Sequence, residues 1–140
     1  ALDFINGITQ KMVVLLKETF PVLNKAQNMQ VDLRLQEGPV EAQEWHVDGG
    51  LMTAILMLDG QGTDVLTTAR ADQMHGESGT LRENDRHWQS VFLEMISSQR
   101  FISTHAGSLL IMSNHKLPTA TVHRSPTFTG KRLILLVRFH

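Results

Sequence analysis

The chain has 140 residues, with 13 basic and 14 acidic side chains, seven histidines and no cysteine. That length suits one domain around one core. The lack of cysteine excludes disulfides, iron–sulfur clusters and thiolate zinc sites, so any bound metal must be held by His, Asp or Glu. No apolar run approaches the roughly 20 residues that cross a bilayer, and Ala1-Leu2-Asp3-Phe4 lacks the basic start of a signal peptide, so a cytoplasmic protein with no membrane partner is expected. All 14 acids and seven of the bases fall in residues 1–99, whereas 100–140 holds six bases and no acid. Interleaved strands can mix these charges over one surface, or some of the cations can face a pocket for an anion. The domain as a whole is not basic enough to favour nucleic acid.

In chain order, Phe4, Ile5, Ile8, Met12, Leu15, Leu16 and Phe20 recur at helical steps, which predicts a helix over 3–20 ended by Pro21. Met29, Val31, Leu33 and Leu35 alternate with polar residues, the period of a half-buried strand, closed by Gly38-Pro39. A short strand into Trp45-His46-Val47 follows, then a break at Gly49-Gly50, an apolar run Leu51–Leu58, a turn at Asp59-Gly60-Gln61-Gly62 and a strand at Val65–Thr68. Residues 70–83 read as an excursion. Asn84 or Asp85 then caps a helix whose Trp88, Val91, Phe92, Met95 and Ile96 share a face. Leu109–Met112, Thr119–His123 and Arg132–Phe139 are three further strands. A helical lead-in over 1–28 and a core over 29–140 therefore form a single domain. Its class is mainly β, an antiparallel barrel or jelly roll with the second helix packed outside.

His46 and Asp48 are two apart, so on an extended chain both side chains leave the same face and can converge on one ion. Alone, a His-x-Asp pair is as readily a solvated pair. His123, in a predicted strand, completes the two-histidine, one-carboxylate set that leaves positions open on ferrous iron. Nine residues on, Arg132 begins the last strand with a planar guanidinium suited to a carboxylate, or else is a strand-edge surface charge. Lys131 beside it must face the other way. Ile134 and Leu136 share the side of Arg132, which would then be the barrel interior.

With these residues in these positions, the sequence resembles the iron- and 2-oxoglutarate-dependent dioxygenases of double-stranded β-helix fold, over roughly 29–139. More narrowly, Trp45-His46-Val47-Asp48, Gly60-Gln61-Gly62-Thr63, His123-Arg124-Ser125-Pro126 and the Arg132–Phe139 strand resemble a bacterial family of this class without an assigned substrate. The resemblance implies a double-stranded β-helix (jelly roll, cupin-like), Fe(II) on His46, Asp48 and His123, and Arg132 on the far carboxylate of 2-oxoglutarate. It also implies oxidation of a small-molecule or peptide C–H substrate with release of succinate and CO2. Many relatives add a Tyr hydroxyl beside the basic residue. This chain has no Tyr, so Thr53, Ser113 or Ser125 would replace it. With few residues for a substrate lid beyond 69–107, a second subunit in a homo-oligomer is compatible with this reading.

Two other readings keep the same residues: a cupin-like metal-binding barrel acting without 2-oxoglutarate, and a non-enzymatic interaction domain. His75 and His87 fit a polar loop and a helix face, while His105 and His115 flank a strand as pocket candidates and His140 is terminal. Trp45 and Arg124 each adjoin a ligand candidate, and so point away from the metal.

Overall fold

The computed structural model describes residues 2–43, 45–66, 101–114, 116–117 and 120–140. The chain is mainly β, with one N-terminal helix, α1 (Leu2–Thr19), and a 3-10 turn at Pro21–Lys25. Among the described residues seven strands follow: β1 (Met29–Glu37), β2 (Met52–Asp59), β3 (Gln61–Leu66), β4 (Phe101–His105), β5 (Leu109–Ser113), β6 (His123–Arg124) and β7 (Lys131–Phe139). They form two sheets, in the orders β1-β7-β2-β5 and β4-β3-β6, with every pairing antiparallel. Two isolated antiparallel bridges join Val40 to Phe128 and His46 to His123 of β6.

β7 organises the core because both of its faces are covered. Leu135, Val137 and Phe139 pack with Met52 and Ala54 of β2 and with Met12 and Leu16 of α1. Ile134 and Leu136 point the other way, against Ile55, Met57 and Met112. The helix contributes a narrower stripe than predicted: Met12 and Leu16 are buried, but Phe4 and Leu15 are exposed. At 100° per residue those two lie on the margin of the stripe, beyond the reach of the sheet.

β1 alternates as predicted, but the opposite way round. Its apolar set is the exposed one, Met29, Val31, Leu33 and Leu35 being 44%, 40%, 49% and 61% accessible. Arg34 and Gln36 turn instead into a cavity between the sheets. β1 is an edge strand that α1 does not reach, so its position decides which side meets solvent.

The structure corrects other boundaries. The turn predicted at 59–62 contracts to Gly60, where the chain leaves the first sheet for the second at φ 81°. A Cβ there would collide with the Lys131 carbonyl, so only glycine fits. The following strand starts at Gln61, earlier than Val65. Residues 101–105, read as part of the 69–107 excursion, form β4 and pair with β3. The Thr119–His123 strand shrinks to His123–Arg124, although Val122 still accepts a bond from the Leu66 amide at 2.9 Å. The helix predicted from Asn84 or Asp85, residues 69–100 of the excursion, His75, His87 and His115 lie outside the described residues. Among the described residues no helix is long and apolar enough to cross a membrane.

Candidate metal centre

His46 and His123 are opposite residues of a two-strand bridge that exchanges both backbone bonds, each N–H donating to the other's carbonyl at 3.0 Å. Opposite residues of an antiparallel pair project to one side, so the two rings lie together, with centroids 4.4 Å apart. Asp48, two residues beyond His46, joins them. Its Oδ1 lies 3.5 Å from Nε2 of each histidine, and one donor atom from each residue falls within 4.8 Å of the others.

The donor chemistry fits a cation at the centre. Nδ1 of His123 is 3.1 Å from the Thr121 carbonyl, which can only accept, so Nδ1 carries the proton and Nε2 presents its lone pair to Asp48. With that ring neutral, Nε2 and Oδ1 are two facing acceptors that a shared cation would satisfy. A distance of 3.5 Å exceeds the roughly 2.7–2.9 Å of a charge-assisted hydrogen bond. It lies nearer the spacing of about 3.0–3.4 Å expected for donors sharing an ion at roughly 2.1 Å.

The other carboxylate oxygen is held by the protein. Oδ2 of Asp48 accepts from the Thr53 hydroxyl at 2.8 Å, Thr53 Oγ1 accepts from Asn114 Nδ2 at 2.9 Å, and Asn114 also donates to the Gly49 carbonyl at 3.0 Å. Arg138 Nε stands 3.8 Å from the same oxygen. Burial alone would raise the Asp48 pKa. The His123 and His46 side chains beside Oδ1 and the Thr53 hydroxyl on Oδ2 outweigh it and hold the carboxyl well below the usual range. Asp48 is therefore an ionised, oriented carboxylate, suited to a cation.

Arg132 opens the pocket face of β7. It is 3% exposed, and neutral oxygens fix it: Nε donates to the Gln61 carbonyl at 2.9 Å, Nη1 to Gln36 Oε1 at 2.7 Å and Nη2 to Thr63 Oγ1 at 3.0 Å. These bonds use three of its five N–H groups and leave two for a ligand. Among the described residues no carboxylate pairs with it, and burial, with Arg34 nearby, lowers its pKa. Lys131 points outward, 3.7 Å from Glu37.

Of the hydroxyls expected to substitute for Tyr, Ser125 lines the cavity, and its buried Oγ has no partner. Thr53 supports Asp48 instead, and Ser113 does not line the cavity. The hydroxyl beside Arg132 is that of Thr63, which entered the sequence reading only as the end of the Gly60-Gln61-Gly62-Thr63 motif. Arg138 was missed as well. The alternation that joined Arg132 to Ile134 and Leu136 reaches it one step further on, and all four line the cavity. His105 is exposed at the end of β4, and the His140 backbone bonds to Gln27 and Asn28. Trp45 is buried beneath Arg124, whose guanidinium carbon is 4.3 Å from the ring centroid and whose Nε bonds Asp64 at 3.1 Å, away from the metal ligands.

A family model described as "Protein of unknown function (DUF1826)" matches residues 8–137. No curated protein and no solved structure matches the chain.

Proposed function

This chain belongs to the DUF1826 family, and from its metal-ready site we propose that it is an Fe(II)- and 2-oxoglutarate-dependent dioxygenase built on a double-stranded β-helix. The observation that carries the reading is the cavity face of β7, where Arg132, with two N–H groups left for a ligand, stands at one end and Arg138, beside Asp48 of the metal-ready set, at the other, with Ile134 and Leu136 between them. That pattern suits a ligand with a carboxylate at either end and methylenes in the middle. The His46–Asp48–His123 set lines the same cavity. The two antiparallel sheets, with the His46–His123 bridge at the edge of the second, support the jelly-roll form.

Bound iron with 2-oxoglutarate and oxygen would supply oxidative decarboxylation to succinate and CO2, coupled to hydroxylation of a C–H bond. The chain's own residues prepare that site. His46, Asp48 and His123 would hold the metal, and the Asn114–Thr53 relay fixes the Asp48 carboxylate through Oδ2, leaving Oδ1 facing the two histidines. Gln61, Gln36 and Thr63 aim the Arg132 fork at the distal carboxylate. The Thr63 hydroxyl, which accepts from Arg132, keeps its own hydrogen to donate there, the task that Tyr performs in the families this sequence resembles. Arg138 draws the Asp48 carboxylate from the side.

Anaerobic titration with ferrous iron and then 2-oxoglutarate tests the proposal. A visible charge-transfer band should appear only with both present, and should be absent from His123→Ala. Iron binding without any response to 2-oxoglutarate would favour a cupin-like metal barrel instead.

A further inference from the structure

β1 ends the four-stranded sheet, pairing with β7 on one side and with no described strand on the other. Its nine residues contain neither proline nor lysine, two usual protections of an edge. Four exposed apolar side chains, Met29, Val31, Leu33 and Leu35, occupy one side. The inward charges Asp32 and Arg34 occupy the other, and inward charges ordinarily discourage edge pairing. They do so only when nothing complementary meets them.

We propose that β1 pairs antiparallel with β1 of a second copy, about a twofold axis at Leu33, to make one continuous eight-stranded sheet. Strand parity restricts the registers, because opposed residues must share a face. With the axis at Leu33 all nine residues overlap. Leu33 meets its own copy, Val31 meets the partner's Leu35, and Asp32 meets the partner's Arg34 on the cavity side. The smallest slip that preserves parity is two residues. In one direction it opposes Asp32 to the partner's Asp32, and in the other Arg34 to the partner's Arg34, and like charges directly opposed are unfavourable. The charge pattern therefore selects one register, and it is self-complementary as a twofold contact must be. In the single chain Arg34 already lies 3.4 Å from its own Asp32, so the second carboxylate joins an ordered pair.

The chain has no cysteine, which gives a direct test of register. Sedimentation of the wild type at micromolar concentration should show a dimer. Leu33→Cys should cross-link to itself under mild oxidation. Val31→Cys and Leu35→Cys should each stay uncross-linked alone and cross-link when mixed, since only the mixture brings two sulfurs within disulfide reach. Leu33→Lys, at a half-exposed position, should lose the dimer mass while keeping the thermal transition of the fold. A monomeric wild type, a dimer that survives Leu33→Lys, or self-cross-linking of Val31→Cys as efficient as that of Leu33→Cys would each overturn the proposal.

Discussion

β1 and β7 are neighbours of equal length that differ in almost every energetic respect. Both have nine residues and pair residue for residue, with Leu33 opposite Leu135 and Gln36 opposite Arg132. Leu135 is fully buried, yet its cross-strand partner Leu33 is half exposed. Being opposite in a sheet places two side chains on one side, but how deeply each is buried depends on what lies over it. α1 lies over β7 and stops short of β1. A central strand is defined by what packs on both faces, an edge strand by what it still offers.

Replacement of Leu135 by Ala should cost about 2–5 kcal/mol, the range for emptying a buried leucine site, while Leu33→Ala should stay within about 0.5 kcal/mol. Chemical denaturation of both variants at low protein concentration measures the contrast. Equal losses would mean that something covers β1 as α1 covers β7.

Next in size is the contrast between the arginines. Arg132→Ala should weaken 2-oxoglutarate binding by roughly 100-fold or more, since truncating one partner of a buried charge pair costs about 2–5 kcal/mol. Arg34→Ala should weaken it only several-fold, because Arg34 is more exposed and already paired with Asp32. Calorimetric titration of the metal-loaded protein reads both, and similar losses would show that β1 shares the anchoring.

A smaller effect is expected one bond away from the metal. Thr53→Val removes the hydroxyl that orients Asp48 and should lower metal affinity by about 10–100-fold, as loss of such supporting partners does. Competition with a chelator gives the number, and an unchanged affinity would mean that Arg138 holds Asp48 by itself. The smallest effect belongs to Lys131→Ala. Its pair with Glu37 leaves both side chains about two-thirds exposed, so stability should change by no more than about 0.5 kcal/mol, and 2-oxoglutarate binding not at all.

What the sequence determined by itself was parity and local period. Steps of three and four marked the N-terminal helix, two-residue alternation marked β1, and a run of β-branched and apolar residues marked β7. The same parity set His46 beside Asp48 and turned Arg132 inward with Lys131 outward, because it belongs to the chain's own geometry and needs no neighbour. Tertiary structure decided everything that depends on a neighbour. It set His123 opposite His46 through one bridge 77 residues apart in sequence, and it made β4 a strand by giving its backbone a partner in β3. It assigned Thr63 rather than Thr53 to Arg132, since reach across two sheets leaves no trace in spacing along the chain. It also left the apolar side of β1 in solvent. Alternation states that a strand has two different sides, and only the packing of helix on sheet decides which side is covered.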